Sequence, residues 1–167
     1  GLTDLRGECR AILEPTIRDH GGVVDKCIGD AVMAVFGFPG PNDSAAERCL
    51  ACAHAMLGRL KIWSEERVLA GQPPVSIGVG MHFGEAFAGV VGRDDLLEFT
   101  VIGDTVNIAE RVERLSRKFD TDIVVSGPFA EAAKLDSHST GWVMETGQTI
   151  TGHSRPIDVF YFCGELS

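Results

Sequence analysis

The chain has 167 residues, of which 44% are hydrophobic and 23% charged, and carries a net charge of −9. That composition belongs to a folded domain with a sizeable core and excludes a disordered tract. The acidic balance disfavours a nonspecific grip on nucleic acid, which needs a basic face, but leaves a nucleotide open where cations neutralise its phosphates.

No apolar run reaches the length of a membrane span, and no secretory signal opens the chain. The expectation is one soluble domain over residues 1–167, cytoplasmic, whose parent protein could still be membrane-anchored. The five cysteines, Cys9, Cys27, Cys49, Cys52 and Cys163, then read as reduced thiols. Cys49 and Cys52 form a CxxC, but inside the alanine-rich run "AAERCLACAHAML" and without a second CxxC, which favours helix packing over metal or redox work.

In chain order, "LTDLRGECRAILEPTIRDHGG" reads as a helix, with Leu2, Leu5, Cys9, Ile12, Leu13 and Ile17 at near-helical spacing and Gly21–Gly22 as its stop. "VVDKCIGDAVMAVFGF" reads as a hairpin turning at Gly29–Asp30, its second strand apolar throughout and so expected to be covered on both faces. Asp43 or Ser44 can cap a helix that runs to about Leu69. "VSIGVGMHFGEAFAGVVG" reads as a strand pair turning near Gly84, and "LLEFTVIG" as another strand. Asp104 is expected to cap the helix "TVNIAERVERLSRKF", with Glu110 and Arg114 as an i,i+4 pair. "TDIVVSG" is a strand, "PFAEAAKL" a short helix, and "WVMET" and "IDVFYF" are closing strands. One sheet with helices packed on it, α+β or α/β, accounts for this order.

Two stretches carry charge where it is unexpected. In a regular strand Val24, Lys26 and Ile28 share one face, which sets Lys26 among apolar neighbours. Lys26 is either an edge-strand lysine reaching for water or a donor in a pocket wall. Asp30 is either an ordinary turn residue or a carboxylate held rigidly for a hard cation. Asn107 and Arg111 lie four apart on one helix face, where an amide and a guanidinium can donate to phosphate oxygens, or form a plain polar surface.

Together these stretches resemble class III nucleotidyl cyclase catalytic domains, the adenylyl and guanylyl cyclase family. "GGVVDKCIGDAVMAVFG" and "FTVIGDTVNIAERVERL" are similar to its two signature segments; "VSIGVGMHFGEAFAGVVG" and "ITGHSRPIDVFYF" resemble its glycine-rich strand pair and its last loop and strand. The resemblance implies an α+β, ferredoxin-like (βαββαβ-type) sandwich with one mainly antiparallel sheet and packed helices. It implies conversion of ATP to 3′,5′-cyclic AMP and pyrophosphate, with two Mg2+ or Mn2+ ions per site. Asp30 looks like a metal ligand, Lys26 and Thr100 like the purine readers, Asn107 like the ribose-orienting residue and Arg111 like the group that stabilises charge on the reacting phosphate. Lysine with threonine is the adenine-type choice, which makes a guanylyl cyclase the poorer reading. A head-to-tail homodimer with sites at its interface, and attached regulatory or sensor domains, are also implied; nucleic acid and a membrane span within this segment are not.

The chain departs from the family pattern at three places. No opening strand with a Phe-x-Asp pattern precedes the first helix, so the domain is expected to be N-terminally incomplete. Asp4 in "TDLRGE" imitates that aspartate but lies too close to Asp30. Thr151 stands where the family usually places a triphosphate-binding lysine, which leaves Arg155 or His153 as substitutes, and Phe83 replaces a usual threonine. The alternative to an active cyclase is a cyclase-like module that binds nucleotide, or only dimerises, for regulation.

Overall fold

A computed structural model describes residues 2–28, 31–38, 44–93 and 96–165, with the side chains of 2–4, 26–28, 88–93 and 96–101 outside the description. The chain divides into two compact units, residues 1–77 with 166–167 and residues 78–165.

In the first unit, helix α1 (Leu2–Asp19) leads to strands β1 (Val23–Ile28) and β2 (Ala31–Val35) and then to helix α2 (Ala45–Leu69). Helix α1 runs through Pro15 and ends where the Gly22 amide donates to the Ile17 carbonyl at 2.9 Å. Gly21 there takes φ +81°, a conformation glycine adopts without penalty. Leu13 and Ile17 of α1 are buried, as are Cys52, Ala53, Leu57 and Leu60 of α2. Thr16, fully buried, is satisfied on both sides: its hydroxyl donates to the Ile12 carbonyl at 2.8 Å and accepts from Arg59 at 2.5 Å. Burial pushes the Cys49 thiol up to about 12 and the Cys52 thiol to about 11, which disfavours the thiolate at both. Ser44 is the N-cap of α2, but its side chain makes no capping bond; its Oγ accepts from Arg48 Nε at 3.3 Å. Asp43 lies outside the described residues.

The hairpin is antiparallel as expected, but it is not regular. Val24 faces Ala34 and Cys27 faces Val32, so Asp25 and Lys26 together oppose the single residue Met33. This is a β-bulge, and it breaks the strict alternation that would put Val24, Lys26 and Ile28 on one face. Nor is β2 covered on both faces: Ala31 is exposed and the other four residues are half-buried.

The second unit contains β3 (Val79–Met81), β4 (Phe87–Arg93), β5 (Leu96–Ile102), helix α3 (Asp104–Lys118), β6 (Ile123–Ser126), the short helix α4 (Gly127–Ala132), β7 (Trp142–Gln148) and β8 (Ile157–Phe162). The α+β class holds, with the single expected sheet resolved into three hydrogen-bonded sets. These are the β1–β2 hairpin, the β4–β5 hairpin and a mixed four-stranded sheet in the order β3-β6-β8-β7. The expected pairing of β3 with β4 does not form: β3 runs parallel to β6, and β4 pairs with β5. Parallel pairing needs a crossover, and the chain between β3 and β6 includes α3, which packs on both strands.

Ile108, Val112, Val124, Ile150 and Val159 form the core between α3 and the sheet, with Leu115, Phe119, Ile157 and Tyr161 packed against it. Val79–Met81 can lie this close to α3 because Gly80 has no side chain; a Cβ there would run into the backbone of Glu113. Phe119 and Tyr161 stack at 4.8 Å beneath the helix end.

Candidate active site

Of the residues assigned from the sequence, those described with their side chains lie on α3 and on the loop between β7 and β8. Helix α3 turns its apolar residues Ile108, Val112 and Leu115 to the core at near-helical spacing. That fixes the helix rotation, and Asn107 emerges exposed with Arg111 half-buried one turn on. The Glu110–Arg114 pair forms at 2.8 Å on the outer side. Asp104 is not the cap: Gly103 holds that position at φ +138°, without a side-chain cap bond, and Asp104 is the first helical residue. The geometry favours glycine, since a side chain rarely tolerates that φ. Thr105 instead ties the helix start to the β3–β4 connection, its hydroxyl donating to the Glu85 carbonyl at 2.5 Å.

The β7–β8 loop meets this helix at Arg111. A Cβ built on Gly152 would lie 2.9–3.1 Å from the guanidinium, so Arg111 rests against the turn that Gly152 makes at φ +79°. No hydrogen bond or ion pair of that guanidinium occurs among the described residues. Next to it His153 Nδ1 donates to the Arg155 carbonyl at 2.7 Å, which leaves Nε2 as acceptor in the neutral ring and donor in the protonated one. Thr151 and Arg155 are exposed and His153 is half-buried. Arg111 and the loop bearing Thr151, His153 and Arg155 are therefore brought together, whereas Asn107 stands apart from that contact on the open side of α3.

Of the other sequence-assigned positions, Asp30 lies outside the described residues. Lys26 is placed only by its backbone, at the β1 bulge, and Thr100 only by its backbone, opposite Gly89 in the β4–β5 hairpin. Among the described residues no group of three or more His, Cys, Asp or Glu side chains could hold a metal ion.

Two polar features escaped the sequence reading. His82 Nδ1 and Ser126 Oγ lie 2.6 Å apart, and the same Oγ accepts from the Phe129 amide at 3.2 Å as the cap of α4. Burial holds the His82 imidazole below its ordinary value, Asp104 pulls it up and His153 adds to the lowering. Asp25, at the bulge, has both carboxylate oxygens buried without a hydrogen-bond partner among the described residues. Neither feature has a periodicity that a sequence could display.

Residues 11–149 match the family described as adenylate and guanylate cyclase catalytic domain. The adenylate cyclase of Anabaena cylindrica is 35% identical over 120 residues, 70% of this chain and 23% of that protein. Adenylate cyclase 1 of Rhizobium meliloti is 30% identical over 123 residues, 74% of this chain and 18% of that protein. The chain thus spans less than a quarter of either relative. Among solved structures, the adenylyl cyclase CyaB from P. aeruginosa is similar with a TM-score of 0.80 at 26% identity, covering 98% of this chain and 83% of that one. The guanylyl cyclase Cya2 is similar with a TM-score of 0.78 at 28% identity, covering 93% and 77%. A likeness that runs through both signature stretches, in sequence and in fold, makes this chain a member of the class III adenylate and guanylate cyclase catalytic domain family.

Proposed function

We propose that this domain cyclises ATP to 3′,5′-cyclic AMP as one half of a homodimer. The observation that carries the reading is the pairing of Asn107 and Arg111 one turn apart on α3, with the guanidinium beside the loop of Thr151, His153 and Arg155. In the reaction the ribose 3′-oxygen attacks the α-phosphorus, its proton is lost, and the bond from that phosphorus to the bridging oxygen of pyrophosphate breaks. Negative charge grows on the phosphate oxygens as this happens. A guanidinium is always charged and presents a planar fork of donors, so Arg111 is suited to that charge and gains most in the transition state. Asn107 is suited to orienting the ribose, and Arg155 or His153 to the outer phosphates in place of the lysine that Thr151 lacks.

Lys26 with Thr100 supports ATP over GTP. Adenine N1 accepts a hydrogen bond that an ammonium can donate, whereas guanine carries a proton there and leaves the donor unpaired. The chain is similar to both adenylyl and guanylyl cyclases, so in this reading the choice of base rests on these two residues.

Cyclases of this class generally work with divalent metal ions, which lower the pKa of an attacking hydroxyl and neutralise phosphate charge. Asp30 is the carboxylate that this reading assigns to them. Thr151, standing where the family usually places a triphosphate-binding lysine, favours a second reading, a nucleotide-binding or dimerising regulatory module without turnover. Exposed Phe83, Phe87 and Ile102 support self-association under either reading, Phe87 and Ile102 facing each other across the β4–β5 hairpin.

The test is product analysis with ATP and with GTP in the presence of manganese, on the full-length protein and on its Lys26→Glu/Thr100→Cys variant. Cyclic AMP from the first and a shift toward cyclic GMP in the second are expected. Nucleotide binding without any cyclic product gives the regulatory reading; an unchanged base preference means that Lys26 does not read the purine.

A further inference from the structure

Gly152 stands out among the glycines of the second unit because what it makes room for is a side chain with a chemical task. Gly80 admits the backbone of a helix, and Gly147, at φ +62°, has nothing within 4 Å of where a Cβ would be. Gly152, at φ +79°, has the Arg111 guanidinium against that position, its three terminal atoms at 2.9, 3.1 and 3.1 Å. We propose that Gly152 is a positioning residue, the seat that sets the guanidinium of Arg111 in its working place. The proposal rests on the cyclase reading for the task of Arg111, but the seat itself does not.

The physical case turns on what yields when the seat is filled. A methyl group at residue 152 meets the far end of a long, flexible side chain, so the fold has an easy escape: the guanidinium swings away. The cost to stability is then mainly the positive φ, which alanine tolerates poorly, and Gly147→Ala carries that same cost with no neighbour to displace. Displacing Arg111 is a different matter for the chemistry. A charged group placed for a transition state loses on the order of a hundredfold in rate when it is misplaced by about 1 Å. With no hydrogen bond or ion pair to the guanidinium among the described residues, packing on the β7–β8 turn is the restraint available to it. Backbone without a Cβ also lets the flat face of the guanidinium lie close while its donors stay open to a ligand.

The experiment compares Gly152→Ala with Gly147→Ala, each alone and with Arg111→Lys, in the protein labelled for arginine side-chain NMR. The Nε–H resonance of Arg111 is identified by its loss in Arg111→Lys. It should shift in Gly152→Ala and stay in place in Gly147→Ala, while the two variants lose similar thermal stability. The turnover number should fall about tenfold to a hundredfold in Gly152→Ala, with a smaller change in KM, and should hold in Gly147→Ala. In the Arg111→Lys background Gly152→Ala should cost little further turnover. An unshifted Arg111 resonance overturns the seat. A shifted resonance with full turnover, or an equal loss of turnover in the Arg111→Lys background, overturns the positioning role. If the wild type binds nucleotide but forms no cyclic product, the resonance still decides the seat, and the cyclase reading is what fails.

Discussion

Helix α3 and the β1–β2 hairpin bear the two signature stretches, and they hold their polar residues by different means. On α3 the core residues Ile108 and Val112 are buried and Leu115 packs against them. Rotating the helix would expose that whole stripe, so the direction of Asn107 and Arg111 is fixed by burial on the opposite side. In the hairpin the side-chain period is two, and one extra residue resets it. The bulge at Asp25–Lys26 opposite Met33 does this, in a pair whose second strand is only half-buried. A helix-borne side chain is thus set by the core, and a strand-borne one by register.

This contrast can be broken at the contact between α3 and β3. Gly80→Val drives a branched Cβ into the Glu113 backbone, which has no rotamer to yield. We expect a loss of about 3 kcal/mol or more by chemical denaturation, or failure to fold. Ala34→Val, an added pair of methyls on half-buried β2, should cost about 1 kcal/mol or less. Equal losses at the two positions would mean that α3 is no more tightly set than the hairpin.

A smaller effect is expected from pH. Burial lowers the His82 pKa in the folded chain from the ordinary 6.5, and that of His54 likewise. The unfolded chain then binds the proton more readily than the folded one. The resulting stability is present above about pH 6.5 and is lost as pH falls below it toward the lowered folded values. Between about pH 7.5 and about pH 5.5 the melting temperature should fall less steeply in His82→Gln than in the wild type. Parallel slopes would show that His82 stays neutral, or titrates alike in both states.

Much of this was legible in the sequence. The α2 terminus at Leu69, the extent of α3 and the Glu110–Arg114 pair follow from local periodicity and charge spacing. Strand partners did not, because β3 pairs with β6 across more than forty residues and nothing local encodes that choice. The bulge at Lys26 was hidden for a related reason: alternation describes a strand until one residue is inserted, and only the partner strand reveals the insertion. Asp104, not Gly103, reads as the cap in the sequence, since aspartate is the commoner capping residue and the positive φ at the glycine leaves no composition signal. The motif and helix face single out Arg111 in the sequence, but its contact with Gly152 joins residues forty-one apart, and no local pattern encodes it.

The most direct test of the account asks whether the two signature stretches serve one site from two copies. Asp30→Ala and Arg111→Ala are made separately in the full-length protein, and cyclic AMP formation is measured alone and after subunit exchange. Each homodimer should be nearly inactive, because both of its sites lack one essential group. In the mixture half the dimers are mixed, and one site in each collects both defects while the other collects none. About a quarter of wild-type activity should therefore return. No recovery despite demonstrated exchange would place Asp30 and Arg111 in the same site of one chain and contradict the interface mechanism.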